Sequence, residues 1–243
     1  MPKRRIPSPV SYWISVAGCV FMACALLKPE ASVFQSGTKD EKLQTALVTS
    51  ALVINEYLAD PPPAPNGDAN GDGTRDATQD EFVELVNTGA TPLDISGFTI
   101  SDATSTRFTI PSNKVIPPGE AAVVFGGGTP TGSFGNAAAN GLVFAIGGAG
   151  LSLNNGADSI IIKDNFGVEA VRHNYPPPNS GIGQALTRSP DVTGGFVAHS
   201  SAAGSGGRLF SPGERASGIP FTTTDPLIIS ISPNAAIVGT GEL

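Results

Sequence analysis

The chain has 243 residues, a net charge of −7, 30 Gly, 21 Pro and only two Cys. That length buries a core as one large domain or two small ones, and the many turn formers beside Val, Ile, Thr and Phe favour short strands over long helices. The acidic balance opposes contact with phosphate backbones and so excludes a nucleic-acid binder, while it suits divalent cations.

The start, "MPKRRIPSPVSYWISVAGCVFMACALLKPEAS", is basic, then apolar over residues 10–27, then polar. This order predicts a secretory signal peptide over 1–27, with "ACA" as small residues for cleavage, or an uncleaved signal anchor. "VAGC" also has the form of a lipoprotein box. Export places the protein outside the cell or at its surface, with no membrane contact after signal removal. Loss of the signal also removes Cys19 and Cys24, which excludes thiol catalysis and thiolate metal sites in the mature chain.

Residues 28–49 read as a polar linker. "ALVINEYLA", 51–59, is the first strand, with Ile54 and Leu58 on one side and Val53 and Tyr57 on the other. Pro61, Pro62 and Pro63 stop it, because proline cannot donate to a ladder. After an acidic loop come "EFVELVN", "LDISGFTISD" with an irregularity at Gly97, and "TRFTIP". "VIPPGEAAVVFGG" then places a continuous apolar strand over 121–125, which predicts burial on both faces. "GLVFAI", "SIIIKD", the hairpin-like "NFG" and "VEAVRHNY" complete the set. From residue 176 the chain is poor in apolar side chains, and a long loop wrapping back onto the sheets is expected. Residues 50–216 are thus predicted to be an all-β sandwich with long Gly/Pro-rich loops.

The acidic loop, "GDANGDGTRDATQDEF" over 67–82, has the composition of a calcium loop. Calcium takes six to eight hard oxygens at alternating positions, with glycine at the sharp turn. Counting Asp68 as position 1 puts Asn70 at 3, Asp72 at 5, Gly73 at 6, the Thr74 carbonyl at 7 and Asp76 at 9. Position 12 is Gln79, not the bidentate Glu of a helix-loop-helix site, and Asp80 and Glu81 follow one and two places late. Prolines before and a strand after exclude the helical form. The expectation is a Ca2+ site between strands, drawn from Asp68, Asn70, Asp72, Thr74, Asp76, Asp80 and Glu81. The competing reading is a solvated turn rich in Asn-Gly and Asp-Gly.

Signatures of catalysis are missing. There is no nucleophile elbow, no paired-histidine zinc motif and no phosphate loop. Of the two histidines, His173 reads as a half-exposed strand residue and His199 falls in the wrap. Glu56 and Glu84 could serve as a glycosidase pair, but strand carboxylates are more commonly paired, and Arg188 and Arg208 are the expected partners. No enzyme is expected; an accessory or cryptic secreted hydrolase using Glu56 and Glu84, or a site centred on His173, is the alternative.

Five segments together resemble the lamin-tail domain in its bacterial secreted form: "LVINEYLADPP", "GDANGDGTRDATQDEFVELVNTGATPLDISGFTISD", "VIPPGEAAVVF", "NNGADSIIIKDNFGVEAVRHNY" and "GQALTRSPD". The resemblance covers about residues 50–192 and implies an immunoglobulin-like β-sandwich without catalysis of its own. It implies a structural or binding role in surface attachment or assembly, with a surface polymer or a protein as partner. The closing "PLIISISPNAAIVGTGEL" is similar to the opening strand of an IPT/TIG domain. Residues 217–243 are therefore read as a linker and an incomplete IPT/TIG-like start, which favours a third reading, an adhesion module of a truncated multidomain surface protein.

Overall fold

The computed structural model describes residues 51–176 and 183–222. The signal segment, the 28–49 linker and the IPT/TIG-like stretch lie outside the described residues. Within them the fold is all β, with twelve strands and one short 3-10 turn at His199–Ser201.

The first strand, β1 (Leu52–Leu58), pairs antiparallel with β2 (Phe82–Asn87), and β2 with β7 (Ala121–Phe125). β8 (Val143–Ala145) adds parallel to β7. On the other side of β1 lie β11 (Leu186–Ser189) and β12 (Gly195–Ala198), completing a six-stranded sheet in the order β12-β11-β1-β2-β7-β8. A second sheet runs β10-β9-β4-β5, from β10 (Glu169–Tyr175), β9 (Asp158–Lys163), β4 (Thr99–Ser101) and β5 (Thr106–Thr109). β3 (Leu93–Asp94) and β6 (Val115–Ile116) form a small third ladder.

Three sequence expectations are corrected here. "LDISGFTISD" is two strands in different sheets, because Gly97 turns the chain in the left-handed region (φ 76°). The wrap contributes two strands, β11 and β12, and not loop alone. The faces of β1 also differ, because the register slips between Ile54 and Glu56. This bulge inserts Asn55, so alternation restarts one residue late. Ile54 then lies opposite Leu85 and Tyr57 opposite Val83, on one face; Glu56 lies opposite Glu84 and Leu58 opposite Phe82, on the other.

The first face packs on the second sheet. Ile54, Tyr57, Val83 and Leu85 share one buried cluster with Ile100, Ile160, Ile162 and Tyr175. The opposite face is covered by the chain after β11, where Val192 and Phe221 pack with Val53, Val86 and Ala121. Both faces of the central strands are thus buried, and β7 is buried at all five positions as its apolar run predicts. Glu56 and Glu84 are carried into an apolar layer by that second covering.

Candidate functional site

The acidic loop is held by its own side chains. Arg75 donates to the carbonyls of Pro61 and Pro62, which ties the loop to the prolines that end β1. The loop then lies flat against residues 126–128: Gly126 N donates to Glu81 O, Gly127 N to Gln79 O, and Asn70 Nδ2 to Gly127 O. Such an approach needs glycine. A Cβ at Gly126 would sit 1.9 Å from Thr78 O, and one at Gly128 would sit 2.3 Å from Asn70 Nδ2 and 2.5 Å from Asp72 Oδ2.

Each predicted ligand has a definite place. Asp68 Oδ2 accepts from Gly73 N at 2.8 Å, Asn70 Oδ1 from Asp72 N at 3.0 Å, and Asp72 Oδ1 from Thr74 N at 2.9 Å. Asp72 Oδ2 accepts from Thr129 N across the loop. Asp76 turns back onto Thr78 N and Gln79 N, and these two backbone bonds hold its carboxyl below the usual range. Asp80 is fully buried and accepts from Ala69 N, Asn70 N and Asp76 N; burial nevertheless pushes its pKa up. Glu81 points elsewhere, to Leu153 N at 3.3 Å, and burial raises it to about 8.

The loop therefore divides. Asp68, Asn70, Asp72 and Thr74 occupy the turn around two left-handed glycines, Gly71 and Gly73. Asp76, Asp80 and Glu81 are committed to other backbone donors, Asp76 near the surface and Asp80 and Glu81 buried. Among the described residues no three Asp, Glu, His or Cys side chains gather closely enough to hold a metal ion, so any cation here would draw on amide and carbonyl oxygens as well as Asp68 and Asp72. One atom fits that role. Asp68 Oδ1 is buried and has no hydrogen-bond partner, an arrangement that costs free energy unless something else meets the oxygen.

A second group of carboxylates sits on the covered face of the six-stranded sheet. Glu56 and Glu84 are directly opposite each other and have no exposed surface. Glu84 accepts from Asn55 Nδ2 at 2.9 Å and from Gly213 N at 2.6 Å; Glu56 accepts from Ser211 N at 2.8 Å. The bulge residue Asn55 also accepts from Val192 N, so one irregularity serves both the acid and the covering chain. The expected arginine partners are not used. Arg188 donates to Ile54 O and Gly194 O and stacks on Phe196.

Ser211 Oγ lies 2.9 Å from Glu56 Oε2 and 2.8 Å from His199 Nε2, while His199 Nδ1 lies 2.9 Å from the carbonyl of Arg208. A carbonyl only accepts, so Nδ1 carries hydrogen. In a neutral ring Nε2 is then bare and takes the serine proton, and Glu56 must bring its own proton to reach Ser211. With an ionised Glu56, the imidazole must instead be charged. One proton sits in the relay either way, and burial selects the neutral form: it raises Glu56 to about 8, lifts Glu84 well above the carboxylate range with Glu56 as the next cause, and lowers His199.

Serine, histidine and glutamate in contact invite comparison with a nucleophilic triad, but the roles do not match. The acid and the imidazole both meet the serine oxygen, and the acid does not orient Nδ1. The backbone N–H groups of Ser211 and Gly213 are already taken by Glu56 and Glu84, which leaves them unable to stabilise an oxyanion. Glu56 and Glu84 converge, but in a sealed layer and not in an open cleft. Sequence reasoning singled out the two acids and missed His199 and Ser211, which lie 143 and 155 residues beyond Glu56.

A family model described as Lamin Tail Domain matches residues 45–177, the stretch that contains β1 to β10. No curated protein matches the chain. His199, Ser211 and the covering segment lie beyond the matched stretch.

Proposed function

The chain belongs to the lamin tail domain family, and on that premise we propose that it is an exported, non-catalytic module that attaches or assembles at the cell surface, with calcium bracing its first crossover. The family is an immunoglobulin-like domain, which accords with a structural or binding module. Export rests on the basic and apolar order of residues 1–27. The absence of turnover is supported by the sealing of Glu56, Glu84 and His199, all at 0 % exposure.

The observation that carries the calcium reading is Asp68 Oδ1, a buried carboxylate oxygen of the loop with no hydrogen-bond partner. Asp68, Asn70, Asp72 and the Thr74 carbonyl would hold the ion, and each engaged oxygen keeps a second lone pair. The ion would neutralise Asp68 and Asp72 and fix the loop against residues 126–128, where surface contacts are then presented in one arrangement. Magnesium suits the site less, since it prefers few carboxylates and phosphate partners.

Melting with calcium and with chelator tests this. At a hundred-fold excess over Kd the ion adds about 2.7 kcal/mol, or a rise of about 5–10 °C for a domain of this size. Asp68→Ala should melt close to the parent in chelator and lose the rise. No rise in the parent at millimolar calcium would leave the loop a hydrogen-bonded acidic turn and remove calcium from the account.

A further inference from the structure

The buried contact between Glu56, Ser211 and His199 has the parts of an acyl-transfer step in which the chain itself supplies the acyl group. Ser211 meets the Glu56 carboxyl twice: its N–H donates to Oε1 at 2.8 Å and its hydroxyl lies 2.9 Å from Oε2. His199 Nε2 lies 2.8 Å from that hydroxyl and 3.5 Å from Glu56 Oε2, so one imidazole nitrogen reaches both oxygens between which a proton must pass. Glu56 and His199 have no exposed surface, and Ser211 is 5 % exposed. The carboxyl carbon is one bond beyond Oε2, and a turn of the serine side chain brings Oγ toward the about 3–3.5 Å of a near-attack contact.

We propose that Ser211 and Glu56 condense after folding into an internal ester that ties β1 to the covering chain. His199 Nε2 takes the hydroxyl proton as Oγ bonds to the carboxyl carbon, and negative charge develops on Oε1, where the Ser211 N–H already points. The imidazolium then gives its proton to Oε2, the bond from carbon to Oε2 breaks, and one water leaves. The balance needs no co-reactant: a hydroxyl and a carboxylic acid become an ester and water.

Burial favours the step at both ends. It holds Glu56 as the neutral acid, whose carbon is open to attack, and it excludes the water that would reverse the bond. Contact within one folded chain also replaces a bimolecular encounter, with an effective concentration on the order of 10⁵ M or more. What unfits the group for an outside substrate suits this one, since the acid that meets the serine is the acyl group and not the orienter of Nδ1. The step turns over once and takes no substrate, so it leaves the non-catalytic reading as it stands, and Glu81 and Glu84 still titrate in the joined chain. The link would span 155 residues, in a chain with no cysteine over residues 28–243 to close such a loop by a disulfide.

Intact mass spectrometry of the denatured protein, with its N-terminus sequenced, tests the link. Most molecules should be lighter than their sequence mass by one water. A tryptic digest should then give a joined species of the peptides that carry Glu56 and Ser211, which mild alkali separates with uptake of one water. Ser211→Ala, which lacks the nucleophile, and His199→Gln, which can still hydrogen-bond the serine but is no base, should both keep the full mass. A parent at full sequence mass overturns the proposal without reference to any variant. So does a loss of water that persists in Ser211→Ala or maps to Asp72 and Gly73, where an aspartyl imide has the same mass, and a joined His199→Gln overturns the step as written.

Discussion

Two regions of this protein concentrate carboxylates, and they handle them in opposite ways. In the loop over residues 67–81, Asp68, Asp72 and Asp76 are only half-buried and accept from backbone N–H groups, which hold Asp76 below the usual carboxylate range. The layer under residues 190–222 buries Glu56 and Glu84 completely, and desolvation pushes both carboxyls up, with the charge of Glu56 as a further cause at Glu84. The first region has the charge that a cation would answer; the second needs protons. The difference shows that a carboxylate's role follows from what covers it, and the covering of Glu56 and Glu84 comes from distant chain.

That contrast is most easily broken at Glu56. Glu56→Ala leaves Ser211 N–H without its acceptor inside the fold and opens a void, so a loss of about 3 kcal/mol is expected from urea unfolding. A loss below about 1 kcal/mol would mean that the covering segment is not anchored there. On the loop side a smaller effect is expected from Gly128→Ala. Its φ of 78° and the approach of Asn70 and Asp72 predict a cost of about 1–2 kcal/mol, together with a weaker calcium response. Smaller still is Asp76→Ala, which removes the acceptor of Thr78 N and Gln79 N at the surface and should cost about 1 kcal/mol or less. Its carboxyl is depressed in the fold, so that contribution is present at neutral pH and fades as pH falls through the depressed value.

The sequence makes the strands legible where one pattern governs them. "AAVVF" is buried at every position, as a run without polar breaks predicts, and "EFVELVN" and "SIIIKD" lie where their composition places them. The acidic loop is legible too, since Asp, Asn and Gly at alternating positions are a local signal. The bulge at Asn55 is not, because no glycine or proline marks it and the slip is set by the partner strand. β11 and β12 were hidden by short length and by the Gly/Ser-rich chain around them. His199 and Ser211 could not be paired with Glu56 from spacing. The one available signal was an acid in the middle of each of two neighbouring apolar strands, which implies a buried polar partner from elsewhere in the chain.

The proton content of the buried layer is the claim on which the non-catalytic reading turns, and the melting temperature between pH 6.5 and 9, with calcium chelated, tests it most directly. Burial pushes Glu56 and Glu81 up to about 8 in the fold and lifts Glu84 well above the carboxylate range; unfolded, all three are ionised across this range. Folding therefore takes up protons, and the stability these groups give is complete below the ordinary carboxylate pKa and is lost as pH rises through about 8. His173 and His199, lowered by burial, act in the opposite sense only below their unfolded value of 6.5 and so stay silent in this window. The account predicts a fall of at least about 5 °C from pH 6.5 to 9, reduced in Glu84→Gln. A flat or rising melting temperature would show the carboxyls ionised in the folded protein, and the sealed proton layer would be wrong.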